Sequence, residues 1–316
     1  MKMPVGVGRS VRARVPLVAV ALTVALTSTG CSVRQMAVRA FANALAGGAD
    51  VYASDDDPEL VGAALPFGLK TIEGLLAQDP RNPKLLLAAA SGFTQYAYAF
   101  VQQEADFVEG SDLARATGLR GRARRLYLRA LGYGWRGLET GFPGLRARLQ
   151  RDPGAADQAL AGLGKDQVPL LYWTAAAWAA AIALDKDDAE LAADLAVVEA
   201  MMRRALALDE TYGRGVIHDF FLAYEGSRTA VGGSAERARE HFTRAMAIAQ
   251  NQRAAPLVSL AETVAVAAQD RAEFERLLNQ VLAIDADAVP GERLANLISQ
   301  RRARWLLARA DELFIQ

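Results

Sequence analysis

The segment around His218 carries the residues whose types and spacing come closest to a catalytic set. His218 is followed directly by Asp219 and, seven residues later, by Glu225. A histidine beside carboxylates titrates in the range that general acid and base catalysis uses. At helical spacing, His218, Phe221, Tyr224 and Glu225 also form one continuous stripe, which suits a helix contact or the lining of a pore. We interpret the stripe as structural rather than catalytic.

The sequence lacks the other parts of common catalytic and metal sites. It has no Gly-x-Ser-x-Gly elbow, and one cysteine with two histidines is too few for a zinc cluster. The acidic run 55–57 lacks the spaced ligands of a calcium loop and is better explained as a helix cap. A glycosidase-type carboxylate pair drawn from Glu104, Asp106 and Glu139 is the enzymatic alternative. We predict no enzymatic activity, no metal and no cofactor.

Aromatic side chains recur at helical spacing in two further segments. Phe93, Tyr96 and Phe100 share one helix face, whereas Tyr98 points elsewhere. Such rings pack in cores, but Tyr also suits a pore wall because it combines an apolar ring with a hydroxyl. We predict a ligand pore with the following lining residues: Phe93, Tyr96, Phe100, Tyr172, Trp173, His218, Phe221, Tyr224 and Glu225.

Helices must position these side chains. Apolar residues recur at helical spacing along almost the whole chain, and Ala, Leu, Arg and Glu dominate it. Helix starts are expected at Pro58, at Pro83, after Ser111-Asp112, after Ser234 and near Pro290. The region 168–184 reads as a buried helix. These patterns predict an all-α fold of about a dozen helices.

Several predicted helices end in similar phrases, which indicates a repeat. The phrases at 205–209, 245–248 and 281–285 lie about 36 to 40 residues apart, close to the period of tetratricopeptide repeats. We therefore predict a curved, tetratricopeptide-like array. A Gly-rich middle, 132–164, separates an earlier copy at 74–80 from the others and fits no regular repeat.

The first thirty residues have the features of a signal peptide. Four basic residues precede an uncharged apolar run, Val15 to Thr27, which is too short for a comfortable membrane span of roughly 20 residues. Ser28-Thr29-Gly30-Cys31 resembles a bacterial lipobox, with Ser28 in place of the usual leucine. We predict cleavage after residue 30, acyl chains such as palmitate on Cys31, and one helical domain over 31–316. A buried free thiol after an uncleaved anchor is the alternative.

Charge is balanced over the whole chain. It has 36 Lys plus Arg against 36 Asp plus Glu, and removal of residues 1–30 leaves a mildly acidic mature chain. Nucleic-acid binding is not expected, because it needs a gathered excess of positive charge. The basic run 115–129 is interpreted as a solvated face, with contact to an acidic partner or to lipid head groups as the alternative.

Three longer phrases, together with the lipobox, resemble one known family. They are Ser54–Leu60 followed by Ala64–Phe67, then Leu86–Val101, and finally Leu171–Trp178 with Gly215–Gly226. These look like the TatT family, the T component of tetratricopeptide-associated TRAP transporters. The resemblance implies a periplasmic lipoprotein that forms a homotrimer, has a pore in each protomer and pairs with a substrate-binding P component. Ser32 after the cysteine implies sorting to the periplasmic side of the outer membrane.

Two non-enzymatic functions are compatible with these patterns. The first is a component of a TRAP-type uptake system that holds or conducts an apolar, amphipathic or carboxylated ligand. The second is a generic tetratricopeptide scaffold lipoprotein for envelope assembly. A peptide-binding scaffold needs rows of Asn, Lys and Arg on its inner helices, whereas the inner candidates here are aromatic and Ala-rich. The first function is therefore favoured.

Overall fold

A computed structural model of the protein describes Met1 and residues 49–185 and 193–315. All regular elements in these ranges are helical, which confirms the all-α class. The described residues from 49 to 315 lie in one compact unit. Cys31 and the boundary at residue 30 lie outside the described residues, and the tetratricopeptide-like repeat stays a prediction.

The α-helices follow one another with short connections. The first eight are α1 (Ala49–Ala53), α2 (Pro58–Gln78), α3 (Pro83–Tyr96), α4 (Gln103–Val108), α5 (Leu113–Gly141), α6 (Leu145–Arg151), α7 (Ala156–Leu160) and α8 (Val168–Ala183). The remainder are α9 (Leu195–Leu208), α10 (Val216–Gly226), α11 (Ala235–Ile248), α12 (Ala255–Leu260), α13 (Arg271–Ala283), α14 (Arg293–Ala308) and α15 (Ala310–Leu313). Two π-helical segments, π1 (Ala97–Gln102) and π2 (Ala261–Ala265), continue α3 and α12.

Side-chain caps fix the predicted helix starts. The Asp57, Asn82, Asp112 and Ser234 side chains accept hydrogen bonds from backbone N–H groups in the first turns of α2, α3, α5 and α11. These bonds satisfy donors that a helix N-terminus otherwise leaves unpaired. The start predicted near Pro290 is a 3₁₀ turn, Pro290–Glu292, that leads into α14.

The first part of the Gly-rich middle is helical rather than irregular. The helix α5 has 29 residues and continues to Gly141. Gly134 and Gly137 lie against α8, where a Cβ on Gly137 would be 2.6 Å from the Leu170 side chain. These glycines therefore allow two long helices to approach closely, which no periodicity argument on α5 alone reveals.

The buried apolar residues form two separate cores. The first extends from Leu69 to Phe221 and includes Trp178 of the buried helix α8, as the sequence predicts. The second extends from Leu222 to Phe314. We call α2–α9 the N-lobe and α11–α15 the C-lobe. The helix α10 joins them because its successive residues Phe221 and Leu222 belong to different cores.

The C-lobe also contacts π1 and α4 of the N-lobe, so the two lobes meet twice. Arg302 pairs with Asp106 at 3.0 Å, and the Arg301 guanidinium donates a 3.0 Å hydrogen bond to the Ala99 carbonyl. The rings of Phe107 and Trp305 lie 5.4 Å apart. We call these contacts the closing seam. They join residues about 200 positions apart in the sequence.

The helix α2 is apolar on more than its packed side. It has 21 residues and a mean hydropathy of 1.4, so by length and composition alone it could cross a membrane. Core helices of soluble proteins meet the same criteria. Leu69 and Leu76 are buried, while Leu60 and Phe67 are exposed.

Candidate functional site

The first aromatic stripe packs between α2, α3 and α5. Phe93 is 3% exposed and stacks on Tyr133 of α5, with ring centroids 5.9 Å apart. Tyr96 contacts Phe100, and the Phe100 ring lies where a Cβ on Gly62 of α2 would clash. The structure therefore brings the three predicted residues together on one packed face.

Tyr172 and Trp173 form a second aromatic group at the N-terminal half of α8. Their rings meet edge to face at 5.0 Å, and Tyr172 also contacts the ring of Tyr212 at 5.5 Å. Both α8 residues are half-buried. Burial raises the pKa of Tyr172 well above its usual range, and the nearby Asp219 carboxylate raises it further.

The α10 stripe is anchored by hydrogen bonds to both neighbouring helices. Phe221 is 5% exposed. The Tyr224 hydroxyl donates a 2.6 Å bond to Glu199 of α9, and Glu225 accepts a 2.7 Å bond from Arg237 of α11. These side chains therefore fix α10 between α9 and α11, which is the structural role that the sequence favours.

The two histidines of the chain contact each other. His218 Nδ1 lies 2.8 Å from His241 Nδ1, and His218 Nε2 lies 3.1 Å from Glu210. Arg244 binds Glu210 through two 2.6 Å bonds, and the Arg244 bonds lower the pKa of Glu210 to about 2. One Nδ1 must donate and the other must accept, so two fully protonated rings are incompatible with this contact.

We expect this pair to make stability depend on pH. Burial lowers the pKa of His241, and proximity to His218 and Arg237 lowers it further, while Glu225 opposes the shift. The unfolded chain therefore binds more protons near the ordinary His pKa of 6.5, and the free energy of unfolding falls as the pH decreases below that value. Urea unfolding at pH 8, 7, 6 and 5.5 measures this slope.

His241→Asn is the matched control for that measurement. It removes the titrating ring, so the slope between pH 7 and 5.5 should disappear. The paired carboxylates lose their contributions at lower pH, because their own pKa values are lowered. An unchanged slope in the variant would show that His241 does not titrate with folding.

A group that the sequence does not reveal lies at the closing seam around Tyr98. The Tyr98 side chain is 46% exposed, yet burial raises the pKa of its hydroxyl. Arg302, Glu262 and Asp106 are the charged neighbours that influence Tyr98.

Arg302 lies near both π-helical segments at this place. Tyr98 belongs to π1 and Glu262 to π2, and Arg302 of α14 binds Glu262 with both a 2.7 Å and a 3.0 Å bond. π-Helical turns are rare and often mark functional sites. Tyr98 is visible in the sequence only as an aromatic off the predicted face, and nothing there connects it to Arg302.

A buried charge cluster lies at the other junction, beside α10. Arg253 binds Asp219 at 2.5 Å and Glu292 at 3.3 Å, and the Arg253 side chain is 8% exposed. Burial raises the pKa of Glu292, opposed by the two arginines Arg253 and Arg214. Tyr172 adjoins this cluster, as its interaction with Asp219 and Arg253 shows.

The basic run on α5 is largely neutralised within the chain. Its ion pairs are Arg115–Glu104, Arg120–Asp106, Arg124–Asp185 and Arg129–Glu73. These pairs favour the solvated-face interpretation over contact with an acidic partner. Among the described residues, no group of three His, Cys, Asp or Glu side chains is placed to hold a metal ion.

The nine predicted pore residues therefore fall into separate groups. One group lies on α3 and π1, and the others lie on α8 and α10 near Tyr212 and Asp219. One open surface concavity, of about 460 Å³, is lined by residues of α11. Another, of about 350 Å³, is lined by residues of α6, α7 and the turn between them. None of the nine predicted pore residues lines either concavity. The pore lining stays a prediction.

Comparison with known proteins agrees with this fold. The sequence profile of the TRAP transporter T-component family matches residues 54–314. A protein of Treponema pallidum (strain Nichols), described as an uncharacterized protein, is 30% identical over 309 residues, which cover 92% of this chain and 95% of the relative. The match includes both lobes, the closing seam and α10. The chain belongs to the TRAP transporter T-component family.

Proposed function

We propose that the protein is a non-enzymatic component of a TRAP-type uptake system that holds an apolar or carboxylated ligand between its two lobes. The observation that carries this proposal is Tyr98, a large aromatic residue that is 46% exposed at the closing seam, where Asp106 of one lobe and Arg302 of the other lie near it. Tyr172 is half-buried near the α10 junction, where its ring contacts the rings of Trp173 and Tyr212. In this proposal both side chains border the space that holds the ligand.

The surfaces available in such a space suit an amphipathic ligand. Tyr98, Tyr172 and Trp173 offer rings with few polar tips, and the nearby charges are already paired. A sugar needs many more polar partners, because each unpaired buried hydroxyl costs about 1–3 kcal/mol. An apolar chain that ends in one polar group needs few.

Binding of cis-parinaric acid, a fluorescent fatty acid, tests this function. We expect saturable binding to the wild-type chain and roughly tenfold weaker binding by Tyr98→Ala, equivalent to about 1.4 kcal/mol. Phe67→Ala is the control, because Phe67 is 80% exposed on α2 and faces ordinary solvent. Circular dichroism checks that both variants keep their helices. Equal affinities in all three proteins would remove Tyr98 from the ligand site.

We further propose that Cys31 carries the acyl chains that hold the protein at the periplasmic side of the outer membrane. Each buried methylene adds roughly 0.8 kcal/mol of membrane affinity, so several chains anchor a protein stably. Cys31→Ser should appear in the soluble periplasmic fraction after cell fractionation. A variant that stays with the membranes would contradict the lipid anchor.

The proposed assembly is a homotrimer that pairs with a TRAP P-type substrate-binding protein. Closed three-fold symmetry places all three N-termini on one side, where each reaches the same membrane. The generic scaffold for envelope assembly is the second candidate. Co-purification with the P component, but not with unrelated envelope proteins, separates the two.

An enzymatic role has less support from the structure. Glu104 is paired with Arg115 at 2.8 Å, and Asp106 is paired with both Arg120 and Arg302. Two of the three carboxylates that a glycosidase pair would use are therefore held by arginines.

A further inference from the structure

The two contacts between the lobes differ in their chemistry. At α10 the polypeptide itself crosses from one lobe to the other, and successive residues of the helix enter the two hydrophobic cores. At the closing seam neither core crosses. Phe107 belongs to neither of the two cores. The remaining seam contacts are an ion pair, a hydrogen bond to a backbone carbonyl and the Arg301 guanidinium 5.3 Å from the centre of the Phe107 ring.

Polar contacts of this kind separate more easily than apolar cores. A hydrogen bond or ion pair that opens to water is replaced by bonds to water, so its net contribution is small. Water offers no such replacement for the contacts of an apolar core. Separation of a core exposes apolar surface, and the free-energy cost rises in proportion to the exposed area. The seam is therefore the weaker of the two junctions.

The charges at the seam also keep partners when it opens. Asp106 binds Arg120 of its own lobe at 3.2 Å, and Arg302 binds Glu262 of its own lobe at 2.7 Å. Breaking the Asp106–Arg302 pair leaves neither charge alone, which avoids the large cost of an unpaired buried ion.

We propose that the closing seam is a lateral gate, and that rotation about α10 opens it so that ligand enters and leaves the space between the lobes sideways. The inference rests on the proposed ligand-holding function. In this proposal the Asp106–Arg302 ion pair holds the gate closed. The contact between the Phe107 and Trp305 rings covers that pair. Hinge motion about one short element is a common way for two lobes to open.

A reversible cross-link across the seam tests the gate. The full chain with Cys31→Ser has no other cysteine, so Phe107→Cys and Trp305→Cys supply the only two thiols. A short bis-methanethiosulfonate reagent joins them, and a reductant releases them. Stopped-flow fluorescence with cis-parinaric acid should show association and dissociation about tenfold slower in the cross-linked protein, an affinity within about twofold, and recovery after reduction.

The control cross-link lies within one lobe. Arg271 and Asp311 form an exposed 2.7 Å pair between α13 and α15, so cysteines at these positions join two C-lobe helices. This cross-link should leave both rates unchanged. Asp106→Asn is a milder second variant that keeps both seam rings, and it should accelerate exchange about threefold.

Three outcomes separate the proposals. Slow rates only in the seam cross-link support the gate. Unchanged rates in the seam cross-link, with binding intact, overturn the gate and leave the ligand-holding function standing. Absence of saturable binding in the protein without cross-links overturns the ligand-holding function and the gate together.

Discussion

Replacement of Arg253 by methionine is expected to lower the free energy of unfolding by about 3 kcal/mol, because the half-buried Asp219 loses its arginine and Glu292 keeps only Arg214, at 3.6 Å. The guanidinium is 8% exposed and contacts Asp219 at 2.5 Å and Glu292 at 3.3 Å. Methionine fills part of the volume of the arginine side chain but carries no charge. Urea unfolding at pH 7, followed by circular dichroism, measures the loss.

The pH dependence of this loss identifies its cause. Burial already raises the pKa of Glu292, and removal of the Arg253 charge raises it further. A carboxyl with a raised pKa in the folded state becomes neutral there first, so the deficit of the variant should shrink as the pH decreases towards 5. A deficit independent of pH would indicate lost packing rather than unpaired charge.

An exposed arginine with two carboxylate partners is the matched control. Arg271 binds Glu275 and Asp311, each at 2.7 Å, but its side chain is 45% exposed. Exposed ion pairs contribute about 0–1 kcal/mol, since water competes for the same groups. Arg271→Met should therefore cost less than about 1 kcal/mol. Equal losses at the two sites would mean that burial is not what makes Arg253 important.

Gly134→Ala is expected to destabilise the protein by about 1–3 kcal/mol through overpacking, although alanine is the better helix former. A Cβ at Gly134 would overlap Thr174 Oγ1, and it would lie 3.1 Å from the backbone Cα of Thr174. The hydroxyl donates a 2.5 Å bond to the Leu170 carbonyl, so a rotation that relieves the overlap breaks this bond. Relief otherwise requires α5 and α8 to move apart, which loosens the first core.

Gly132→Ala on the same helix should have the opposite sign. Nothing lies within 4 Å of a Cβ at Gly132. The substitution therefore contributes only the helix propensity, a gain of about 0.5–1 kcal/mol. Thermal unfolding of both variants measures the two changes in stability. A gain at Gly134 as well as at Gly132 would show that the approach of α5 to α8 is not close enough to require glycine.

Local signals in the sequence predict the helices well. Asp57, Asn82, Asp112 and Ser234 are recognisable caps because a cap bonds to N–H groups two or three residues away. The burial of α8 can also be predicted from the sequence, because almost every residue of this segment is apolar. The Gly-rich middle is predicted to be irregular, but its first part is helical. Gly134 and Gly137 lie there because α8 approaches α5 closely, and local sequence patterns do not show that approach.

The candidate site is less accessible to sequence reasoning. The stripes on α3 and α10 are predicted as helix faces, and the structure shows Phe93 and Phe221 almost completely buried in them. Tyr98 lies off the predicted stripe, yet it is an exposed aromatic residue at the closing seam. Helical spacing specifies which residues share a face. It does not specify what that face meets.

The sequence by itself determines the all-α class, most helix starts and membership of the T-component family, because caps, periodicity and family phrases are encoded within short segments. Only the tertiary structure decides that Arg302 meets Asp106, that Arg253 lies between Asp219 and Glu292, and that the lobes close on each other. The Asp106–Arg302 pair joins residues 196 positions apart. Such pairings depend on how every intervening helix packs, and no local pattern carries that information.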